Sequence, residues 1–224
     1  FGNMPNDGGN LILTEEEKNT LLSENPEATK YVRKLLGAQE FIRGQVRYCL
    51  WISDDDKESA EKNLFILHRI KKVEKHRKKS TRNATRKLAK AYHRFGEIRH
   101  KESPQIIIPS VSSERRKYIP TGFLYTDTIV SNSAQVIYDA EPWLFGVLNS
   151  RMHMVWLRAV GGKLEERIRY SKDIVYNTFP FPPISTQRKN EITQAVFRIL
   201  EEREKHSDKT MAQLYDPDKM PEGL

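Results

Sequence analysis

Gly161-Gly162-Lys163-Leu164-Glu165-Glu166-Arg167-Ile168-Arg169-Tyr170-Ser171 is the stretch on which the reading of this chain turns. Taken as extended over Leu164 to Tyr170, its period of two places Glu165, Arg167 and Arg169 on one face. Arginine is shaped to grip guanine O6 and N7, and a carboxylate accepts from cytosine N4. The Glu-x-Arg-x-Arg row is therefore a candidate base-reading edge. Taken alone, it reads first as a solvated strand whose charges pair with one another.

Charge is the next signal outward from that stretch. The 224 residues carry a formal net charge of +8. Between residues 67 and 102, fourteen Lys and Arg face three Asp and Glu, whereas residues 1–66 hold eight against twelve. Residues 103–184 hold nine against seven, and residues 185–224 seven against eight. The excess sits in one segment, which favours a polyanionic partner over general solubility. No apolar run approaches the roughly 18 residues that a membrane span needs. The chain opens on Phe1 in mid-pattern, so a piece of a longer polypeptide without a signal peptide is expected. Cys49, the single cysteine, lies in an apolar run and is expected as a buried small hydrophobe in a reducing compartment.

Periodicity supplies the elements. A short strand at Leu11–Leu13 precedes Thr14-Glu15-Glu16-Glu17, a capping box for a helix to about Glu24. Pro26 suits the first turn of a second helix carrying Tyr31, Val32 and Leu35. Val46–Ile52 is β-branched and aromatic, hence a strand. A helix opened by Ser53 and three aspartates continues through Leu67, Ile70 and Val73, and Ala84, Leu88, Tyr92 and Phe95 repeat the spacing. The polar face of this pair carries Lys71, Lys72, Lys75, Arg77, Lys78, Lys79, Arg82, Arg86, Lys87 and Lys90, suited to a phosphate backbone. Short strands are expected at 106–108, 116–119, 128–130 and 134–137. A helix follows over Glu141–Val160, with Met152, Val155 and Trp156 on its core stripe. Extended segments at 161–170 and 174–179 lead to a last helix from Thr186 to about His206. The fold class is α+β: a mixed or antiparallel, partly barrel-like sheet with flanking helices, plus a C-terminal helical appendage.

No catalytic signature emerges. The six histidines lack metal-ligand spacing, and there is no Gly-x-Gly-x-x-Gly, Walker loop, nucleophile elbow or paired-Cys zinc pattern. Asn177-Thr178-Phe179-Pro180 lacks the second and third residues of the Asn-Pro-Pro-Tyr used by adenine methyltransferases. No catalytic residue, metal or cofactor is expected in these 224 residues.

Several ordered segments together carry a resemblance. They include Met4-Pro5-Asn6-Asp7-Gly8-Gly9, Tyr31 to Gly37, Tyr48-Cys49-Leu50-Trp51, Val111 to Arg116, Phe145-Gly146-Val147-Leu148, Met152-His153-Met154, Arg169-Tyr170-Ser171 and Ile174 to Pro182. With Leu214-Tyr215-Asp216-Pro217 near the end, the chain resembles the Type IIL restriction–modification enzymes of the MmeI kind, single chains joining nuclease, adenine-N6 methyltransferase and DNA target recognition. The resemblance implies a target recognition domain over 1–184, with the basic helical segment 54–102 inside it, and the start of a C-terminal helical region over 185–224. It maps the family's specificity positions onto Glu165, Arg167 and Arg169, onto Asn132 and Ser133, and onto Ser110. Phosphate contacts are expected from Lys71, Lys75, Lys78, Lys79, Arg82, Arg86 and Lys90, and from Arg115, Arg116 and Lys117. The implied partners are double-stranded DNA and upstream methyltransferase and nuclease domains, in a bacterial cytoplasm, with S-adenosylmethionine and Mg²⁺ belonging to the parent enzyme only. A stand-alone nucleic-acid (RNA) binding module, an enzyme in its own right and a structural interaction module are the competing readings.

Overall fold

The Thr14 hydroxyl accepts from the Glu17 amide at 3.1 Å, and the Glu17 carboxylate accepts from the Thr14 amide at 2.9 Å. This reciprocal box starts α1 (Glu15–Glu24), directly after β1 (Ile12–Leu13). The computed structural model describes residues 1–224. Pro26–Tyr31 forms only a 3₁₀ stretch, and the chain then extends as β2 (Val32–Leu36), which corrects the second helix expected there. Val32 is stiff at χ1, and β2 gains partner strands on both sides, so tertiary pairing overrides the helical spacing.

The chain continues through α2 (Ala38–Arg43), β3 (Arg47–Leu50), α3 (Lys57–Glu61), α4 (Leu64–Lys78) and α5 (Asn83–Lys87). The second basic repeat is thus one five-residue helix followed by a 3₁₀ turn over Leu88–Ala91. Next come β4 (Gln105–Pro109), β5 (Val111–Ser112), β6 (Gly122–Leu124), β7 (Thr128–Val130) and β8 (Ala134–Tyr138). The strand expected at 116–119 is absent. The Arg116 amide closes a turn onto the Ser113 carbonyl at 3.2 Å, and Pro120 has no amide to donate.

The single helix expected over Glu141–Val160 is two, α6 (Pro142–Leu148) and α7 (Arg151–Val160). Asn149 donates its side-chain amide to the Phe145 carbonyl at 2.8 Å, and the Ser150 hydroxyl caps α7 by accepting from the His153 amide. Of the residues expected on its core stripe, Met152 and Val155 are exposed instead. After β9 (Gly162–Leu164) and β10 (Arg167–Arg169), the segment expected as extended winds as one wide turn over Lys172–Tyr176. In it Asn177 donates to the Lys172 carbonyl at 2.8 Å. The chain closes with α8 (Thr186–Glu204) and α9 (Met211–Leu214).

The strands form three open sheets, ordered β1-β3-β2-β7, β6-β4-β8 and β5-β10-β9. Only β2 and β7 run parallel. The sheets are mixed and antiparallel as expected, but none closes on itself, so the barrel-like element of the expectation resolves into open sheets. One core lies between the first sheet and α4, around Leu35, Leu50, Ile66 and Ile70. A second gathers Ile106, Ile108, Phe145, Leu157 and Val196, the last from α8, beneath the other two sheets. Ala38, Ile107, Val130 and Ala134 form a third, smaller cluster from α2, β4, β7 and β8.

Candidate nucleic-acid interface

β9 and β10 pair antiparallel with Leu164 opposite Arg167, Lys163 opposite Ile168 and Gly162 opposite Arg169. Only Glu165 and Glu166 separate the closing pair, so the stretch is a two-residue hairpin and not one strand. Glu165 sits at φ +58° in the left-handed region and therefore does not share a strand face with Arg167 and Arg169, which corrects the expected three-residue row. The missed turn had no Asn-Gly or Asp-Gly to announce it. The Glu165 carboxylate nonetheless folds back to Arg167 at 2.7 Å. Arg167 and Arg169 project outward, Ile168 packs against the second core, and all three predicted base-readers are exposed. Arg169 has no side-chain partner.

The hairpin is rooted below the surface. Tyr170, buried immediately after Arg169, meets His153 with its hydroxyl 3.0 Å from Nε2. Burial pushes the His153 imidazole down to about 4 and the Tyr170 phenol well up. An uncharged pair therefore anchors the hairpin at neutral pH.

From this root a line of hydrogen bonds joins the other predicted positions. The Tyr170 amide donates to the Ser110 carbonyl at 2.9 Å, and the Ser110 amide to the Ser133 carbonyl at 3.4 Å. Ser133 Oγ accepts from the Ala38 amide at 3.0 Å, and Gln135 Nε2 donates to Ser110 Oγ at 3.3 Å. Gly37 is required beside this turn, because a Cβ there would collide with the Ser131 and Ser133 hydroxyls. Asn132 is exposed next to Ser133, its amide donating to the Asn3 carbonyl at 2.9 Å. Asn3 is fully buried. Its Nδ2 donates to the Val130 carbonyl at 3.0 Å, and its Oδ1 accepts from the Arg99 and His100 amides at 2.6 and 2.9 Å. Arg167, Arg169, Ser110, Asn132 and Ser133 thus lie along one bonded edge drawn from three loops. Sequence reasoning missed Asn3 and Gln135, which support this edge from below.

The loop beside the hairpin differs from expectation in detail. Arg115 pairs with Asp218 at 2.6 Å, which holds its guanidinium above the usual range. Arg116 is half-buried, with Nη1 donating to Ser112 Oγ at 3.3 Å, and burial lowers its pKa. Arg158 ties the loop to α7 by donating to the Arg116 and Lys117 carbonyls, both at 3.0 Å. Lys117 is exposed.

On the basic helices, Lys75, Lys79, Arg82, Lys87 and Lys90 are exposed, and their side chains make no ion pair or hydrogen bond within the chain. Lys71 and Lys78 both reach Glu74, at 3.4 and 2.7 Å, and Arg86 donates to the Ser80 and Thr81 carbonyls. Arg77 does not belong to the polar face. It continues the buried stripe Ile66, Ile70, Val73 at helical spacing, a signal already visible in the sequence. Fully buried, it donates to five carbonyls, those of Pro5, Asn6, Leu88, Ala91 and Arg94, between 2.7 and 3.1 Å. Pro5 and Asn6 follow Asn3 by two and three residues, so the opening segment links α4 to the Asn132 turn over a reach of at most ~11 Å.

A family model described as the MmeI target recognition domain matches residues 1–183. The chain belongs to the MmeI target recognition domain family. A model of the MmeI C-terminal domain matches residues 184–224. A relative from Bacillus subtilis (strain 168), DNA methyltransferase A, is 48% identical over 221 residues, which are 99% of this chain and 25% of that protein. The solved structure of the Type IIL restriction–modification enzyme MmeI in complex with DNA superposes with a TM-score of 0.96 at 41% identity, over 100% of this chain and 30% of that one. The chain therefore spans between a quarter and a third of the length of these relatives. No helix is long and apolar enough to cross a membrane, and no three His, Cys, Asp or Glu side chains converge as a group able to hold a metal.

Proposed function

We propose that this MmeI-type recognition domain binds double-stranded DNA sequence-specifically. It would position the duplex for the adenine-N6 methyltransferase, and for the nuclease, of a longer restriction–modification polypeptide. In this reading Arg167 and Arg169, with Glu165, Ser110, Asn132 and Ser133, contact base edges in the major groove. Lys75, Lys79, Arg82, Lys90 and Lys117 hold phosphates, and Lys71, Lys78, Arg86, Arg115 and Arg116 join them where their present partners release them. S-adenosylmethionine and Mg²⁺ are assigned in this reading to the rest of that polypeptide.

The observation that carries the proposal is the single bonded edge that collects Ser110, Asn132, Ser133 and the two exposed arginines from distant parts of the chain. The backbone at Glu165 adds support. A glutamate in the left-handed region costs about 1–2 kcal/mol where glycine would be free, and such outliers gather at working sites. Selection by this chain from a pool of randomised duplexes tests the proposal. Wild type should enrich a defined sequence, and Arg167→Ala should change the preferred base at one position. Enrichment by neither, or an unchanged motif with undiminished affinity for Arg167→Ala, overturns it. Preferential capture of structured RNA over duplex DNA would favour the RNA-binding alternative.

A further inference from the structure

We infer that Gln135 is a positioning residue that biases Ser110 toward donating its hydrogen bond to DNA, so that together they disfavour cytosine at one position of the target. The inference rests on the proposed base-reading role of Ser110. Gln135 lies on β8 opposite Ile108 of β4 and reaches diagonally across the ladder to Ser110. It is only 3% exposed, so its amide cannot itself touch a base. Its Nε2 donates to Ser110 Oγ at 3.3 Å, while its Oε1 has no donor and takes no part in holding the hydroxyl.

Ser110 is otherwise committed inward. Its amide donates to the Ser133 carbonyl and its carbonyl accepts from the Tyr170 amide. With Oγ accepting from Gln135, the hydroxyl proton is the free donor at this position, and the half-exposed side chain leaves it facing solvent along the proposed base-reading edge. A serine hydroxyl free to rotate reads donors and acceptors alike, and so discriminates little. One whose oxygen is engaged by an amide N–H favours acceptors. In the major groove guanine, adenine and thymine each present an acceptor, whereas cytosine presents only its N4 donor. With one of its two lone pairs already engaged, Ser110 Oγ accepts less readily from cytosine N4, and a bias against cytosine is the consequence.

The test is the same randomised-duplex selection with Ser110→Ala, Gln135→Met and Gln135→Glu, each checked for folding by thermal melting. Wild type should disfavour cytosine at one position by about fivefold or more, the size of one hydrogen bond. Ser110→Ala and Gln135→Met should flatten that position alone, with other positions kept. Gln135→Glu, whose carboxylate accepts from the hydroxyl and turns the serine into an acceptor, should admit cytosine there. Gln135→Met is close in volume and carries the test by itself if the buried carboxylate prevents folding. If Ser110→Ala relaxes a position that both Gln135 variants leave intact, the positioning role is refuted and Ser110 reading stands. Uniform weakening of all sequences by Gln135→Met reduces Gln135 to packing and also refutes it. No change with Ser110→Ala refutes the reading of Ser110 itself.

Discussion

Replacing Arg77 should unfold much of the molecule's margin without touching its electrostatic grip on DNA. Five main-chain carbonyls depend on this guanidinium. Of these, the Pro5 and Ala91 carbonyls also accept from the Gly96 and Arg94 amides at 3.0 and 3.4 Å, so Arg77→Met orphans the other three, at about 1 kcal/mol each, and costs about 0.5 kcal/mol for each of the two second bonds lost. Part is returned because a buried charge is removed; burial has already pushed the guanidinium down to about 10. A net loss of about 3 kcal/mol follows, against a total stability of about 5–15 kcal/mol for a domain. Arg77→Lys supplies at most three donors and should lose about 2 kcal/mol. Urea unfolding measures both variants, the midpoint falling with little change in slope. In DNA titrations at several salt concentrations, Arg77→Lys should keep the wild-type slope while folded, because Arg77 holds carbonyls and no phosphate. A loss below 1 kcal/mol for Arg77→Met, or a shallower salt slope at unchanged stability, refutes the reasoning.

Other expectations follow from the same geometry. Lys75→Ala with Lys79→Ala removes two unpaired cations and should weaken all duplexes alike, lowering the slope of log K against log salt by about 2, as read by titration. His153 is neutral in the fold and protonates more readily unfolded, so its contribution is full above pH 6.5 and is lost as pH falls toward 4. Chemical denaturation at pH 7 and pH 5 should show a fall of about 2 kcal/mol attributable to it, absent from His153→Gln. Glu165→Gly relieves the left-handed glutamate but frees Arg167. Stability should stay within about 1 kcal/mol, gains and losses offsetting, while selection reports an altered base preference.

Local chemistry was legible in the sequence and non-local pairing was not. Thr14 and Glu17 announce their capping box because both partners lie within one turn. β2 is hidden because Tyr31, Val32 and Leu35 fit helical spacing, and only strands from residues 47–50 and 128–130 decide otherwise. The break at Asn149-Ser150 depends on a serine cap that an uninterrupted apolar stripe conceals. In the site, Arg167 and Arg169 were legible as an exposed alternating pair. The turn at Glu165 was not, because it lacks the residues that favour positive φ. Residue type alone places Arg77 with the surface cations, whereas its spacing from Ile66, Ile70 and Val73 places it in the core. Ser110, Asn132 and Ser133 came from family resemblance, and only the fold brings them beside the hairpin.

Interference by pre-methylation of guanine N7 tests major-groove reading by this edge most directly. Duplexes of the selected sequence, sparsely methylated at N7, are partitioned into bound and free, and the bound fraction is sequenced by cleavage. The account predicts exclusion of N7-methylated guanine at one or more positions, with that exclusion lost for Arg169→Ala or Arg167→Ala. Interference confined to ethylated phosphates, with none at any guanine N7 of a guanine-containing target, would contradict it.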